Sequence, residues 1–171
     1  MSIGYTMAGS RGGTDLLLAG LAARLAGNGL RVAGVVQINS DCGPDRPCDM
    51  DVRVLPNGPD LRISQSLGRG SRGCRLDPEA LETAVGHVLA SLNTPVDLLL
   101  VNKFGKHESE GRGFRPVIAE AAALGIPVLV GLNATNRAAF LNFAGDLAVE
   151  LPADEGALAE WVADTRARIT A

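Results

Sequence analysis

The chain has 171 residues, 46% of them hydrophobic and 20% charged, and a formal net charge of -3. This length corresponds to about one domain, with enough buried surface to form a core without a disulfide or a metal. The acidic balance and the low aromatic content of 4% argue against nucleic-acid binding. No apolar run approaches the length of about 18 residues that a membrane span requires, and no secretory signal is visible. Three cysteines fit a reducing compartment. We therefore expect a single cytoplasmic domain over residues 1–171.

Apolar runs alternate with amphipathic segments along the chain. A strand over residues 3–8 is followed by a Gly-rich turn, a helix that Thr14 or Asp15 can cap, and a strand over 31–38. Two short strands at 51–55 and 61–65 predict a hairpin or an edge pair. A helix is predicted after Asp77, with Pro78 in its first turn. Further strands are predicted over 96–101, 126–132 and 147–151, and further helices over 115–124, 133–143 and 155–169. A loop over 102–113 follows the first of these strands. This order predicts a three-layer α/β domain, with helices on both faces of a mainly parallel sheet.

The Gly-rich turn after the first strand lies where phosphate-binding loops are found. A Walker A loop reads G-x-x-x-x-G-K-S/T, in which backbone N–H groups surround the phosphate and the Lys neutralises it. With Thr14 on the last position, Gly12 matches the second Gly, but Gly13 replaces the Lys and Met7 the first Gly. An anion site at the helix N-terminus is therefore predicted, with Arg11 as a partial substitute for the Lys. Its candidate residues are Gly9, Ser10, Arg11, Gly12, Gly13 and Thr14, and a turn without a ligand is the alternative.

The loop after the strand over 96–101 lies in the Walker B place, where an Asp holds magnesium and a Glu often orients the attacking water. Asn102 and Lys103 stand in those two places, which removes metal ligands and a general base and adds positive charge. The guanine-reading pattern Asn-Lys-x-Asp is also incomplete, because Gly105 replaces its Asp. The candidate anion-binding residues here are Asn102, Lys103, Lys106 and Arg112, the weak catalytic candidates are Glu108 and Glu110, and a solvated charged loop is the alternative.

A third Gly-rich segment, over residues 68–75, carries several arginines. Arg72 and Arg75 can close an anion site, because guanidinium groups bind oxyanions with a planar fork of donors, and a solvated loop is an equal alternative. Cys42, Cys48, Cys74 and His107 are weak metal candidates, since the Cys-x5-Cys spacing differs from that of structural zinc sites. Buried or idle thiols are the favoured interpretation.

Four segments together resemble a bacterial domain family of unknown function whose members are frequently encoded beside molybdate-uptake genes. They are Gly-Cys-Arg-Leu-Asp at 73–77, Asn-Lys-Phe-Gly-Lys at 102–106, Glu108, and Gly-Arg-Gly-Phe at 111–114. More distantly, the chain is similar to small nucleoside-triphosphatases related to P-loop kinases, which carry Asp-Glu-x-Gly-x-x-Glu at the place of residues 102–108. Gly105 and Glu108 match that pattern, and the two catalytic carboxylates do not. The resemblance implies a P-loop NTPase-like fold and a role around molybdate or tungstate.

Three hypotheses about function follow. In the first, a degenerate P-loop binds a small anionic ligand, either ATP or GTP or an oxyanion such as molybdate or tungstate, with little or no hydrolysis. In the second, the chain is an active nucleoside-triphosphatase that needs Mg²⁺, with Arg11 replacing the Lys and Glu108 or Glu110 replacing the carboxylates. In the third, the chain is an interaction module without a ligand. A homo-oligomer is open in each hypothesis, and neither nucleic acid nor a membrane is expected as a partner.

Overall fold

The computed structural model describes residues 2–10, 12–39, 49–68 and 75–170, without the side chains of residues 39 and 170. In chain order the elements are β1 (Ile3–Thr6), α1 (Gly13–Gly27), β2 (Val32–Asn39), β3 (Met50–Leu55), β4 (Asp60–Arg62), α2 (Pro78–Ser91), β5 (Leu98–Val101), α3 (Lys106–Ser109), α4 (Arg115–Ala123), β6 (Val128–Gly131), α5 (Arg137–Ala144), β7 (Ala148–Leu151) and α6 (Glu155–Thr170). Short 3₁₀ turns precede α5 and β7. Among these described elements, no helix combines the length and the apolar character needed to cross a membrane.

In the described part of the chain, the strands form one sheet of 7 strands in the order β4-β3-β2-β5-β6-β1-β7. The pairs β2–β5, β5–β6, β6–β1 and β1–β7 are parallel, whereas β3 and β4 join one edge as an antiparallel hairpin. This confirms the predicted mainly parallel sheet. The carboxyl ends of β1, β2, β5 and β6 lie at one edge, which is where α/β proteins bind their ligands.

Both faces of the sheet are covered by helices, as the sequence predicts. Leu99 and Val101 of β5 pack on the side of α2, α4 and α5, in a core that also contains Val88. Leu98 and Leu100 face the other way and pack with α1 and α6. The alternation along β5 follows from the period of two in a strand, and it fixes which loop side chains emerge on which face of the sheet.

Gly34 in β2 is a position where the fold requires glycine. Its φ is 120°, a region that L-residues rarely adopt, and a Cβ there would collide with the Leu100 carbonyl oxygen of β5. The two central strands can therefore pair in this register only because residue 34 has no side chain.

The predicted helix caps have different outcomes. Asp77 caps α2, since its Oδ1 accepts hydrogen bonds from Glu79 N at 3.0 Å and Ala80 N at 3.2 Å. At α1 the prediction is wrong, because the N-cap is Gly12 in the left-handed conformation, with φ of 74°. Thr14 Oγ1 instead accepts from Ala8 N at 3.0 Å, which fixes the turn that follows β1.

Candidate functional site: a cavity at the carboxyl edge of the sheet

A cavity of about 940 Å³ lies at the carboxyl edge of the sheet. One wall is polar and contains Gly12 and Asp15 from the start of α1, with Asn102, Lys103 and Lys106 from the loop after β5. The structure therefore brings the first and second Gly-rich loops to one cavity. A second wall consists mainly of apolar side chains from β2, β3, α2 and the loops beside them.

The turn between β1 and α1 lies beside this cavity, and of its predicted residues Gly12 lines it. Gly9, Ser10, Gly13 and Thr14 belong to the same turn but are not among the lining residues. Gly13 N donates to the Ser10 carbonyl oxygen at 3.1 Å, so that N–H group closes the turn. Arg11 lies outside the described residues.

Asn102 is the buried polar centre of the site, with 3% of its surface exposed. Its Nδ2 donates to Asp15 Oδ1 at 2.8 Å, and its Oδ1 accepts from Gln37 N at 3.0 Å. The side chain thus joins β5 to α1 and to β2. In a Walker B sequence this place carries a carboxylate that holds magnesium. In this chain the place carries the neutral Asn102. The carboxylate nearby belongs to Asp15 in the first turn of α1, and it accepts the hydrogen bond from the Asn102 amide.

The two lysines of the loop differ in their surroundings. Lys106 is 86% exposed and its Nζ lies 3.8 Å from Glu110 Oε1, a weak pair one helical turn apart. Lys103 lines the cavity and forms no hydrogen bond or ion pair with any residue that the structure describes. Within the described part of the chain, no acidic side chain neutralises its charge.

Glu108 is buried, with 4% of its surface exposed, and both of its oxygens accept backbone hydrogen bonds. Oε2 accepts from Gly105 N at 2.9 Å and Oε1 from Phe114 N at 3.1 Å. These bonds hold the two ends of a segment that includes α3, where the sequence predicts only a loop. The spacing is that of a capping box, but Gly105 replaces the usual Ser or Thr, which hides the signal.

Glu110 does not line the cavity. Its Oε2 pairs with Arg112 Nη2 at 2.5 Å, and Arg112 does not line the cavity either. The hydrogen bond from Arg112 holds the pKa of the Glu110 carboxyl below its usual value, with a smaller contribution from Lys106. Glu110 and Arg112 thus neutralise each other at the surface beside α3.

His107 and Glu82 form a second contact between this loop and α2, one that the sequence does not indicate. His107 is 8% exposed, and its Nε2 lies 3.1 Å from Glu82 Oε1. The same oxygen accepts from Gly113 N at 2.9 Å. Glu82 is separated from His107 by 25 residues and lies on the exposed side of α2, so no local pattern predicts the contact. Among the described residues, no three potential metal ligands lie together.

The third Gly-rich segment reaches the cavity through Arg75. Its Nη2 lies 3.7 Å from Asp49 Oδ1, and Asp49 also pairs with Arg62 at 3.0 Å. Part of the Arg75 charge is therefore balanced by protein groups. The other predicted site residues of this part, Arg72, Cys42, Cys48 and Cys74, lie outside the described residues.

The architecture is a three-layer α/β fold with a mainly parallel sheet, and it is shared with a solved nucleoside triphosphatase. The solution structure of a human cancer-related nucleoside triphosphatase matches it with a TM-score of 0.61 at 17% identity, over 98% of this chain and 96% of that chain. This likeness confirms the predicted fold. The chain belongs to the family described as "Protein of unknown function (DUF2478)", whose model matches residues 3–161.

A curated relative is the molybdenum import ATP-binding protein ModC 2 of Bradyrhizobium diazoefficiens, which is 36% identical over 155 residues. The match covers 91% of this chain and 17% of that protein, so the chain spans about a sixth of its relative's length. The match to the family model over residues 3–161 confirms the resemblance to a family of unknown function that the sequence indicates.

Proposed function

We propose that this domain binds a phosphate-bearing nucleotide or a related oxyanion at the carboxyl edge of its sheet, that it does not hydrolyse the ligand, and that it acts in molybdenum import. The observation that carries the proposal is the pairing of Asn102 with Asp15 beside Lys103, which pairs with none of the residues that the structure describes. An amide and a cation occupy the two places in which a P-loop nucleoside triphosphatase keeps its carboxylates.

Binding is supported by the position and the charge of the polar wall. This wall lies at the carboxyl edge of the sheet, where α/β proteins bind their ligands. It contains the glycine turn before α1 and the Lys103 ammonium group. A cation without a protein partner gains more from an anionic ligand than one that must first leave an ion pair. Lys103 meets that condition among the described residues, whereas Lys106 and Arg75 have acidic neighbours.

Absence of hydrolysis is supported by the acidic side chains around the cavity. Hydrolysis by P-loop enzymes needs a metal carboxylate and a group that orients water. Asp15 is engaged by the Asn102 amide, and both oxygens of Glu108 are engaged by backbone N–H groups. Glu110 is held by Arg112 away from the cavity. These contacts favour a binding role over the active enzyme that uses Glu108 or Glu110.

The link to molybdenum import is supported by the relative, whose name states that function. Because the matching region is a small part of that longer protein, we propose that this domain is a module that serves the ATP-binding component of such a system, in the cytoplasm. The ligand would then report either the nucleotide supply or the oxyanion itself to the importer.

Calorimetric titration with ATP, GTP, phosphate, molybdate and tungstate tests the proposal. We expect heat of binding from at least one of the five, weakened about tenfold or more in Lys103→Met, since one lost charge-assisted contact costs about 1.5–3 kcal/mol. Arg168→Met removes an exposed cation of α6 that does not line the cavity, and this variant should bind like the parent chain. Absence of heat with all five ligands would favour the interaction module instead.

A further inference from the structure

We infer that two copies of this chain associate through the outer edge of β7, with their β7 strands antiparallel about a two-fold axis at Val149. The two sheets then join into one continuous sheet. This edge is separate from the cavity, because no residue of β7 lines it. The contact between copies therefore goes beyond the proposed function and does not depend on a ligand.

The edge at β7 is open. β7 is the last strand of the sheet in the described part of the chain, and it pairs with β1 on its inner side. Apart from that ladder and the bond from Ala148 N to the Gly145 carbonyl oxygen, no backbone hydrogen bond joins β7 to the residues that the structure describes. Unpaired N–H and C=O groups along such an edge are a template for a further strand.

The opposite edge of the sheet, at β4, is protected by its length and its charges. β4 has three residues. Asp60 accepts two hydrogen bonds from Arg53, at 2.8 Å each, and Arg62 donates to Asp51 at 3.0 Å. Short strands and charged side chains are the usual means by which proteins prevent pairing at an edge. β7 is longer, and Glu150 is its one charged residue.

The side chains of β7 alternate between the two faces of the sheet. Leu151 packs in the core on the α6 side, and Ala148 packs against the core on the other side. Val149 therefore shares the face of Leu151, and it is 36% exposed. Leu147, just before the strand, is 39% exposed. In an antiparallel pair centred on Val149, this side chain meets its own copy and Leu147 lies opposite Leu151, so apolar residues face one another.

The charge of Glu150 permits this antiparallel register. Its Oε2 accepts hydrogen bonds from Arg137 at 3.0 Å and from the Tyr5 hydroxyl at 2.9 Å, so the carboxylate is balanced within its own chain. In the register centred on Val149, Glu150 lies opposite Ala148 of the second copy. An in-register parallel pair would instead place the two carboxylates side by side, and like charges in that position are destabilising. The edge thus suits a second copy in the antiparallel sense, which closes as a symmetric dimer.

A pair of four-residue strands is a small contact beside stable protein interfaces, which bury about 1,200–2,000 Å². We expect a weak dimer, and sedimentation velocity from about 10 µM to about 1 mM should show the average mass rising from that of one chain towards that of two. Val149→Lys should abolish the rise, because like charges then meet at the axis. Leu89→Lys makes the same change on α2, at a position that is 45% exposed, and should retain it.

Mixing two variants tests the register itself. Val149→Glu alone should also stay monomeric, whereas an equimolar mixture of Val149→Lys and Val149→Glu at low ionic strength should associate, since opposite charges then meet across the axis. Circular dichroism establishes that each variant is folded. On the unaltered chain, amide hydrogen exchange over residues 148–151 should slow at high concentration, which locates the contact without any substitution.

Several results would overturn the inference. A monomer at every concentration would do so and would leave the edge to an extended segment of another protein. Association that persists in Val149→Lys, or that leaves exchange in β7 unchanged, would place the contact elsewhere. A mixture that stays monomeric would rule out the register centred on Val149. Each of these results leaves the proposed function standing, because ligand binding is measured separately by calorimetry.

Discussion

The side-chain amide of Asn102 donates a hydrogen bond to Asp15 Oδ1 at 2.8 Å, although 87 residues separate the two in the chain. The pair has its carboxylate at the start of α1 and its neutral amide at the end of β5. Asp15 is favoured there, since the N-terminus of a helix stabilises negative charge. A direct hydrogen bond thus joins the end of β5 to the start of α1.

The first prediction concerns this pair. Asn102→Asp replaces the donor with a second carboxylate, and we expect the free energy of unfolding to fall by about 1–3 kcal/mol. The exchange Asp15→Asn with Asn102→Asp restores one donor and one acceptor, and should recover most of that loss. Urea denaturation of the two single variants and the double variant gives the coupling energy. Additive effects would show that the hydrogen bond contributes nothing specific.

The second prediction separates a structural from a catalytic Glu108. In Glu108→Gln one oxygen becomes an NH₂ group, so the N–H of Gly105 or Phe114 loses its acceptor. We expect a loss of about 1–3 kcal/mol in unfolding free energy, together with faster hydrogen exchange at those two amides. Glu110→Gln is the matched control at an exposed position, and it should change stability by less than about 0.5 kcal/mol. Equal behaviour of the two variants would contradict the assigned contacts.

Much of the fold follows from local sequence. The parallel strands carry short, mostly apolar runs, and the long helices carry apolar residues at helical spacing. Their order and approximate positions are therefore predicted correctly. The hairpin of β3 and β4 and the Asp77 cap are confirmed as well. The helix α3 is missed, because four residues carry no periodicity and its stability comes from the buried Glu108.

The sequence predicts several residues that line the cavity, but it does not predict the contacts that hold them in place. The sequence predicts Asn102, Lys103 and Lys106 from a segment that resembles a known family, and all three line the cavity. Their role in binding stays a prediction. The Asp15 contact and the Glu82–His107 contact are not found, since each joins residues that are distant in sequence and unremarkable locally. Such pairs depend on strand order and helix packing, which a single sequence does not specify.

The third prediction tests the close approach of β2 and β5. Gly34→Ala forces a Cβ onto the Leu100 carbonyl oxygen at a positive φ, and we expect a loss of about 3 kcal/mol or more, or failure to fold. Gly86→Ala is the matched change in α2, where no atom lies within 4 Å of the added Cβ. That variant should be stabilised by about 0.5–1 kcal/mol. Thermal denaturation measures the stability of both variants. An unchanged stability of Gly34→Ala would contradict the register of β2 and β5.

The fourth prediction uses Tyr5, the only tyrosine of the chain. Burial raises the pKa of its hydroxyl, and the hydrogen bond to Glu150 Oε2 at 2.9 Å and the Glu150 charge raise it further, while Arg137 lowers it. The stability due to this group is therefore fully present below the unfolded pKa of about 10 and is lost as pH rises through the folded pKa.

An absorbance titration near 295 nm reads Tyr5 alone. We expect a midpoint above about 10 in the folded protein and near 10 in denaturant. Glu150→Gln should lower the folded midpoint without returning it to the denatured value, because burial is the larger cause. A folded midpoint equal to the denatured one would contradict the burial of Tyr5.

The most direct test of the central claim is phosphate release from ATP and GTP in the presence of Mg²⁺, measured on a preparation that binds nucleotide by calorimetry. We predict binding heat without release above the buffer rate at saturating nucleotide. The contradictory result is Mg²⁺-dependent turnover that disappears in Glu108→Gln at a temperature at which that variant is folded. Such turnover would make the domain an active nucleoside triphosphatase with relocated catalytic groups.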